Sequence, residues 1–222
     1  MPHFAHHFEE NYLKAVFKLS QKEIKKVNNV ALAKNLDLNP ATVLEMVRKL
    51  TEKKLLQLLP DKSIQLTEKG KIRALQIIRK HRLWEVFLVN KLNFKWSEVH
   101  QIAEQLEHID SEDLIDRLDQ FLDFPSFDPH GDSIPDKNGK IKTNPSISLL
   151  AGVTGKKYIV RHFAETADAF LDHLSHLQIV PGTRLKIIEV NTYDQSLTIA
   201  VNKKNLHLSE KVASNILVQA TQ

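Results

Sequence analysis

The 222 residues are 42% hydrophobic and 26% charged with a net charge of +4, which excludes an intrinsically disordered chain and allows one large domain or two to three small ones. Cysteine is absent, so disulfides, thiolate zinc sites, iron–sulfur clusters and cysteine nucleophiles are excluded together. The apolar runs are too short to cross a bilayer, and MPHFAHHFEENYL lacks the basic-then-apolar pattern of a signal peptide, so a cytoplasmic protein with no membrane partner is expected.

Phe8, Tyr12, Ala15, Val16 and Leu19 lie at helical spacing and predict a first helix. A short helix over Val30–Leu36 follows, then a tight turn at Asp37-Leu38-Asn39. Asn39-Pro40 is a strong helix start, because Asn is a good N-cap and Pro fits the first helical position. This helix runs through Val43, Val47 and Leu50 to about Lys54. Leu55–Leu59 and Ser63–Leu66, joined at Pro60-Asp61-Lys62, read as two short strands. Helix, helix, turn, helix, hairpin, helix is the layout of a winged helix-turn-helix, whose second helix enters a DNA major groove by its N-terminus. Candidate DNA-facing residues are Asn39, Pro40, Ala41, Thr42 and Glu45, with Arg48 and Lys49 nearer the phosphates and Lys62 on the wing. Residues 1–80 carry 16 basic and 8 acidic side chains, net +8, which suits a polyanion. The competing reading is a small helical domain with no DNA role.

Thr67-Glu68-Lys69-Gly70 opens a long helix to about Leu92. It is apolar on most sides, which predicts burial by several neighbours and a dimerisation core. Helices starting near Ser97 and Ser111 follow, then a Pro/Gly-rich loop over residues 124–139. Residues 81–142 are net −6 and residues 143–222 net +2. The last third alternates in short strands at Tyr158–Arg161, Arg184–Val190, Ser196–Val201 and Asn205–Leu208, with a helix from Asp168 to Leu177 and a final helix over Ser209–Val218. The expected fold is mainly α with a β C-terminal part: a winged helix-turn-helix over residues 1–72, an all-α dimerisation and metal-binding domain over 73–142, and an SH3-like β-barrel over 143–222.

The stretch HQIAEQLEH, His100–His108, carries the chemistry. At about 100° per residue, Val99, Ile102, Ala103, Leu106 and Ile109 share one face, while His100, Glu104, Glu107 and His108 lie within about 100° of one another on another. On the preceding helix His81 and Glu85 are one turn apart. Each of these groups alone reads as solvated surface or as a hydrogen-bonded core histidine. Six together on consecutive helices point to a cation with oxygen and nitrogen ligands, for which Mn²⁺ or Fe²⁺ suits the donor set and Zn²⁺ is possible. No nucleophile motif and no glycine-rich phosphate loop accompany them, so an enzyme with a small-molecule substrate is not expected.

The stretches ENYLKAVFKL, NPATVLEMVRKL, LTEKGK, IIRKHRLWEVFL, EVHQIAEQLEH and FDPHGDSIP resemble the metal-dependent repressors of the diphtheria-toxin-repressor and manganese-transport-regulator family. The resemblance covers roughly residues 8–135 well and the C-terminal domain more weakly. It implies a homodimer on a double-stranded DNA operator, with metal as corepressor. It implies a primary site of Glu104, Glu107 and His108 with a first-helix residue, and an ancillary site of His81, Glu85 and His100, to which Asp128, His130 and Asp168 are candidate additions. Glu104, where iron regulators tend to have cysteine, leans toward Mn²⁺, with Fe²⁺ the alternative. One position departs from the pattern: the first-helix ligand is usually Asp or Met, and here it is Asn11. Either Asn11 is a weak ligand, or Glu10 substitutes, or the metal link to the first helix is altered. His3, His6 and His7 are further possible ligands on an N-terminal tail.

Overall fold

The computed structural model describes residues 3–21, 26–142, 145–202 and 204–221, with side chains from residue 7 on. The side chains of His3 and His6 lie outside the described residues. Chain contacts divide the protein into two compact units, one built on residues 1–81, 104–112 and 135–140 and the other on residues 82–103, 113–134 and 141–222.

The first unit begins with α1 (His3–Gln21), α2 (Asn29–Leu36) and α3 (Pro40–Glu52), followed by the antiparallel hairpin β1 (Leu56–Leu58) and β2 (Ile64–Leu66). Each helix start has a chemical cause. The Asn28 side chain accepts from the Ala31 amide and caps α2, and Asn39 accepts from Ala41 and caps α3 with Pro40 behind it. Asp37 ends α2 in the left-handed conformation, with φ at 54°. Leu13 and Val16, Leu32, Val43, Val47 and Leu50, and Leu56 and Ile64 close into one core. Each such side chain contributes roughly 1.5–3 kcal/mol. The winged helix-turn-helix layout read from the sequence is therefore present.

The wing is tied to the next helix, α4 (Glu68–Leu92). Thr67 accepts from the Gly70 amide, 3.1 Å, and donates to the Lys54 carbonyl, 2.8 Å. A Cβ on Gly70 would lie 1.9 Å from the Leu55 carbonyl oxygen, so only glycine lets the helix start this close to the strand. α4 begins at Glu68, within the stretch expected to open it, because Thr67 is its cap.

The second unit takes in α5 (Val99–Leu106, shared with the first unit) and most of α6 (Glu112–Phe121). Leu83, Val86, Ile115, Leu118 and Ile134 form its helical core. The C-terminal part is a six-stranded antiparallel sheet in the order β3 (Ile147–Ser148), β8 (Ile216–Ala220), β4 (Lys157–Phe163), β5 (Arg184–Val190), β6 (Leu197–Val201), β7 (Lys204–Leu208). α7 (Asp168–His176) and α8 (Glu210–Asn215) complete it around a large apolar core that includes Leu149, Ile187, Ile199 and Ile216. One expectation is corrected here. The final helix ends at Asn215, and Ile216–Ala220 is a strand between β3 and β4, not the helix expected to run to Val218. Its burial alternates, Ile216 and Val218 inward, as a paired strand requires.

Candidate metal centres and nucleic-acid interface

Among the described residues, one cluster of histidine and carboxylate side chains lies in the first unit and another in the second. The first joins α1 to the end of α5. Glu107 is fully buried and lies, with His108, in the turn after Leu106 ends the helix. That corrects the reading of Glu107 as part of a polar helix face outside the core. Its carboxylate accepts from Lys14 Nζ on both oxygens, at 2.9 and 2.7 Å, and meets His81 Nδ1 at 2.5 Å. The same ammonium is 3.4 Å from Glu104 and 3.4 Å from His81 Nδ1. Since one ring nitrogen carries at most one hydrogen, the short contact makes Nδ1–H the donor to Glu107, and a neutral ring then has its lone pair on Nε2. Burial alone would raise Glu107, but the His81 hydrogen bond and the Lys14 and His81 charges outweigh it and hold the carboxyl below its ordinary value.

Asn11 is exposed on α1. The first-helix carboxylate that reaches this cluster is Glu10, which is buried and meets His108 Nδ1 at 2.8 Å while accepting from Arg73 at 2.7 Å. Glu10 and Lys14 are four apart and share a helix face that Asn11, about 100° further round, leaves. The His7 ring stacks on His108 at 4.4 Å. Glu104, Glu107 and His108 therefore come together as read from the sequence, but with Glu10 and Lys14 from α1. The donor set is oxygen and nitrogen, yet its centre is held by the chain's own cation, so in this arrangement it does not fit a divalent ion.

The second cluster does fit one. Glu85, Asp128 and His130 are all buried, and their ligand atoms lie within 4.8 Å of one another. His100 Nδ1 is 3.2 Å from Glu85. The loop is rigid: Asp128 accepts from the His130 and Asp132 amides at 2.8 and 2.9 Å. Gly131, with φ at 85°, packs where a Cβ would lie 1.8 Å from the Arg161 carbonyl oxygen. His130 Nε2 donates to the Trp96 carbonyl at 2.8 Å. That bond leaves Nδ1 facing Glu85 at 3.7 Å, the form a metal-ligating imidazole takes. Burial, then the charges of Glu85 and Asp132, push the Asp128 carboxyl up. Burial would lower His130, but Glu85, Asp128 and the Trp96 carbonyl raise it to about 9. Arg82 and His130 only partly offset the burial and the neighbouring carboxylate charges at Asp128, so its carboxyl stays raised. Arg82, which no motif in the sequence singles out, supports the loop through Asp132 at 3.1 Å and the Ser133 carbonyl. Asp168 stands apart: it is exposed at the start of α7 and accepts from Gln101 at 3.2 Å. His81, one turn before Glu85 on α4, has its Nδ1 committed to Glu107.

The candidate nucleic-acid face is the exposed side of α3. Asn39, Pro40, Ala41, Thr42, Glu45, Arg48 and Lys49 are exposed, and so is Lys62 at the hairpin tip. Two are already engaged. The Asn39 side chain is the helix cap, and Lys49 pairs with Glu9 at 2.9 Å, as does Lys53 at 2.7 Å.

A winged helix-turn-helix followed by helices carrying buried histidine–carboxylate clusters defines the class of metal-dependent DNA-binding regulators. Comparison with known proteins narrows it. Residues 7–64 match the iron-dependent repressor N-terminal DNA-binding domain, residues 67–136 the iron-dependent repressor metal-binding and dimerisation domain, and residues 148–220 the FeoA domain. A solved manganese-dependent transcriptional repressor in complex with manganese is similar with a TM-score of 0.88 at 31% identity, covering 96% of this chain and all of that one. The zinc-bound structure of ScaR matches with a TM-score of 0.81 at 29% identity over 96% of this chain and 99% of its own. The iron-dependent repressor IdeR of Mycobacterium tuberculosis is 28% identical over 95% of this chain and 96% of its own length. The chain belongs to the diphtheria-toxin-repressor family of metal-dependent transcriptional repressors.

Proposed function

We propose that this chain binds a two-fold DNA operator as a homodimer and represses metal-uptake genes when a divalent cation is abundant. Glu85, Asp128 and His130 carry the reading: three buried ligand groups within 4.8 Å, on a chain that also presents an exposed, basic-flanked helix to DNA. On this reading residues 1–72 read DNA, residues 73–142 dimerise and hold metal, and residues 143–222 are the SH3-like domain. The oxygen and nitrogen donors, with no cysteine in the chain, favour Mn²⁺ over softer ions, and Fe²⁺ is the alternative. The protein is a regulator rather than an enzyme.

The chain's own groups divide the work. The Trp96 carbonyl holds His130 in the tautomer with Nδ1 toward Glu85. The His130 and Asp132 amides aim Asp128. His100 completes the set beside Glu85. A bound cation supplies the positive charge that protons on Asp128 and His130 supply without it. The cation shifts operator affinity only by preferring the DNA-competent state.

The test is a mobility-shift titration on duplex DNA enriched by the protein from a random pool, in Mn²⁺, in Fe²⁺ and in chelator. Tighter binding in metal, lost in a Glu85→Gln, Asp128→Asn variant, is the expected result. Equal affinity in chelator and in metal overturns the reading.

A further inference from the structure

We propose that Lys14 is a built-in cation that stands where the first cluster would otherwise hold a divalent ion, so that α1 is tied to the end of α5 by an internal ion pair and each chain binds metal only at the second cluster. The inference rests on the metal-dependent reading above but concerns which residues serve it.

The geometry is that of a resident ion. Lys14 Nζ donates to both oxygens of fully buried Glu107, at 2.9 and 2.7 Å, and lies 3.4 Å from Glu104 and from His81 Nδ1. The lysine is itself buried, so this is an enclosed site and not a surface pair. One ammonium therefore contacts two carboxylates and an imidazole, a donor set that a hard divalent ion would otherwise use. The remaining ligand candidates nearby are matched as well. His108 is engaged by Glu10, and Glu10 by Arg73. A metal entering here would have to expel Lys14 from Glu107 and leave an ammonium beside the dication, and like charges at such range repel strongly. Among the described residues, the cationic groups at the second cluster are Arg82, which lies 3.5 Å from Asp128 and bonds Asp132, and the imidazoles of His130 and His100 beside Glu85.

A consequence separates Lys14 from an ordinary buried salt bridge. Replacing it by a carboxylate should turn the pocket into a metal site, with the new carboxylate added to Glu104, Glu107 and His81. The test measures bound Mn²⁺ per chain by equilibrium dialysis of the full-length protein with Mn²⁺ alone. One ion is expected in wild type, none in Glu85→Gln, Asp128→Asn, and two in Lys14→Glu. Thermal melting of Lys14→Glu should show a second, Mn²⁺-dependent stabilisation absent from wild type. Two ions in wild type would overturn the proposal without any variant being needed. So would a single wild-type ion that survives Glu85→Gln, Asp128→Asn, or a folded Lys14→Glu that gains no ion. A wild type that binds no ion, with Lys14→Glu binding one, would leave the role of Lys14 standing but overturn the second cluster as a metal site and, with it, the metal-gated function.

Discussion

At the scale of single residues, buried charge decides most of what the sites do. Glu107 is fully buried and its principal cationic partner is Lys14. Removing one member of a buried pair leaves the other uncompensated, at about 3–5 kcal/mol. Lys14→Met should therefore destabilise the protein by about that much in urea unfolding and raise the Glu107 carboxyl. The pH dependence has a definite sign. In the ion-free chain His130 is raised from 6.5 to about 9 and Asp128 is raised as well. A group whose folded value is raised stabilises fully below its unfolded value, and that contribution is lost as pH rises through the folded value. Both groups thus work the same way. Melting in chelator should fall steadily between pH 6 and pH 9, and Mn²⁺ should flatten the decline, because bound metal favours the deprotonated ligands. A chelator melt that rises across this range would contradict the assignment.

At the scale of elements, what is legible in the sequence depends on how local the cause is. α3 is readable because its start is written in two adjacent residues, Asn39 and Pro40, and both do what their chemistry dictates. Asn39→Ala should cost about 1 kcal/mol in thermal or urea unfolding, as loss of a cap. Arg48→Ala, which removes an exposed charge from the same helix, should leave stability alone. Its expected effect is weaker operator binding across all sequences with a salt slope smaller by about 1. The end of the chain misleads because Val212, Ala213, Ile216 and Leu217 also fit a helical repeat. The choice is made by β3 and β4, which pair with β8 from 53 to 71 residues away. The polar stripe on α5 fails for the same reason. Glu107 is buried against Lys14, 93 residues earlier, and His81, 26 residues earlier, which offset its charge. Glu104, His108, Glu85 and His100 can be read from spacing on their own helices, whereas Asp128 and His130 rest on family resemblance. Which of these groups face a metal and which face a lysine depends on α1, whose register no local pattern fixes.

At the scale of the whole molecule, the open feature is an apolar face in the second unit. Leu92, Leu114, Phe121 and Phe124 are exposed by 52%, 38%, 61% and 65%, next to a helical core of only five buried apolar side chains. Trp84, Phe87 and Leu122 are only partly buried against that core, and the Phe121 ring lies 6.3 Å from Phe87 and 5.0 Å from the Lys91 ammonium. Exposed apolar side chains of this size in one unit suit an association surface. A second copy is the partner that suits a regulator reading two half-sites, since a two-fold contact presents the same patch from both sides. Phe121→Glu puts a charge at a side chain that is 61% exposed and lies outside the buried core, so the chain should fold with its thermal melt nearly unchanged. Its mass by light scattering should be half that of wild type at the same concentration. Because each half-site then binds alone, operator affinity should fall by about 10²-fold or more, while the Mn²⁺ bound per chain at Glu85, Asp128 and His130 stays the same. A variant that remains dimeric would place the two-fold contact elsewhere. One that becomes monomeric but keeps full operator affinity would show that a single winged helix suffices for DNA recognition.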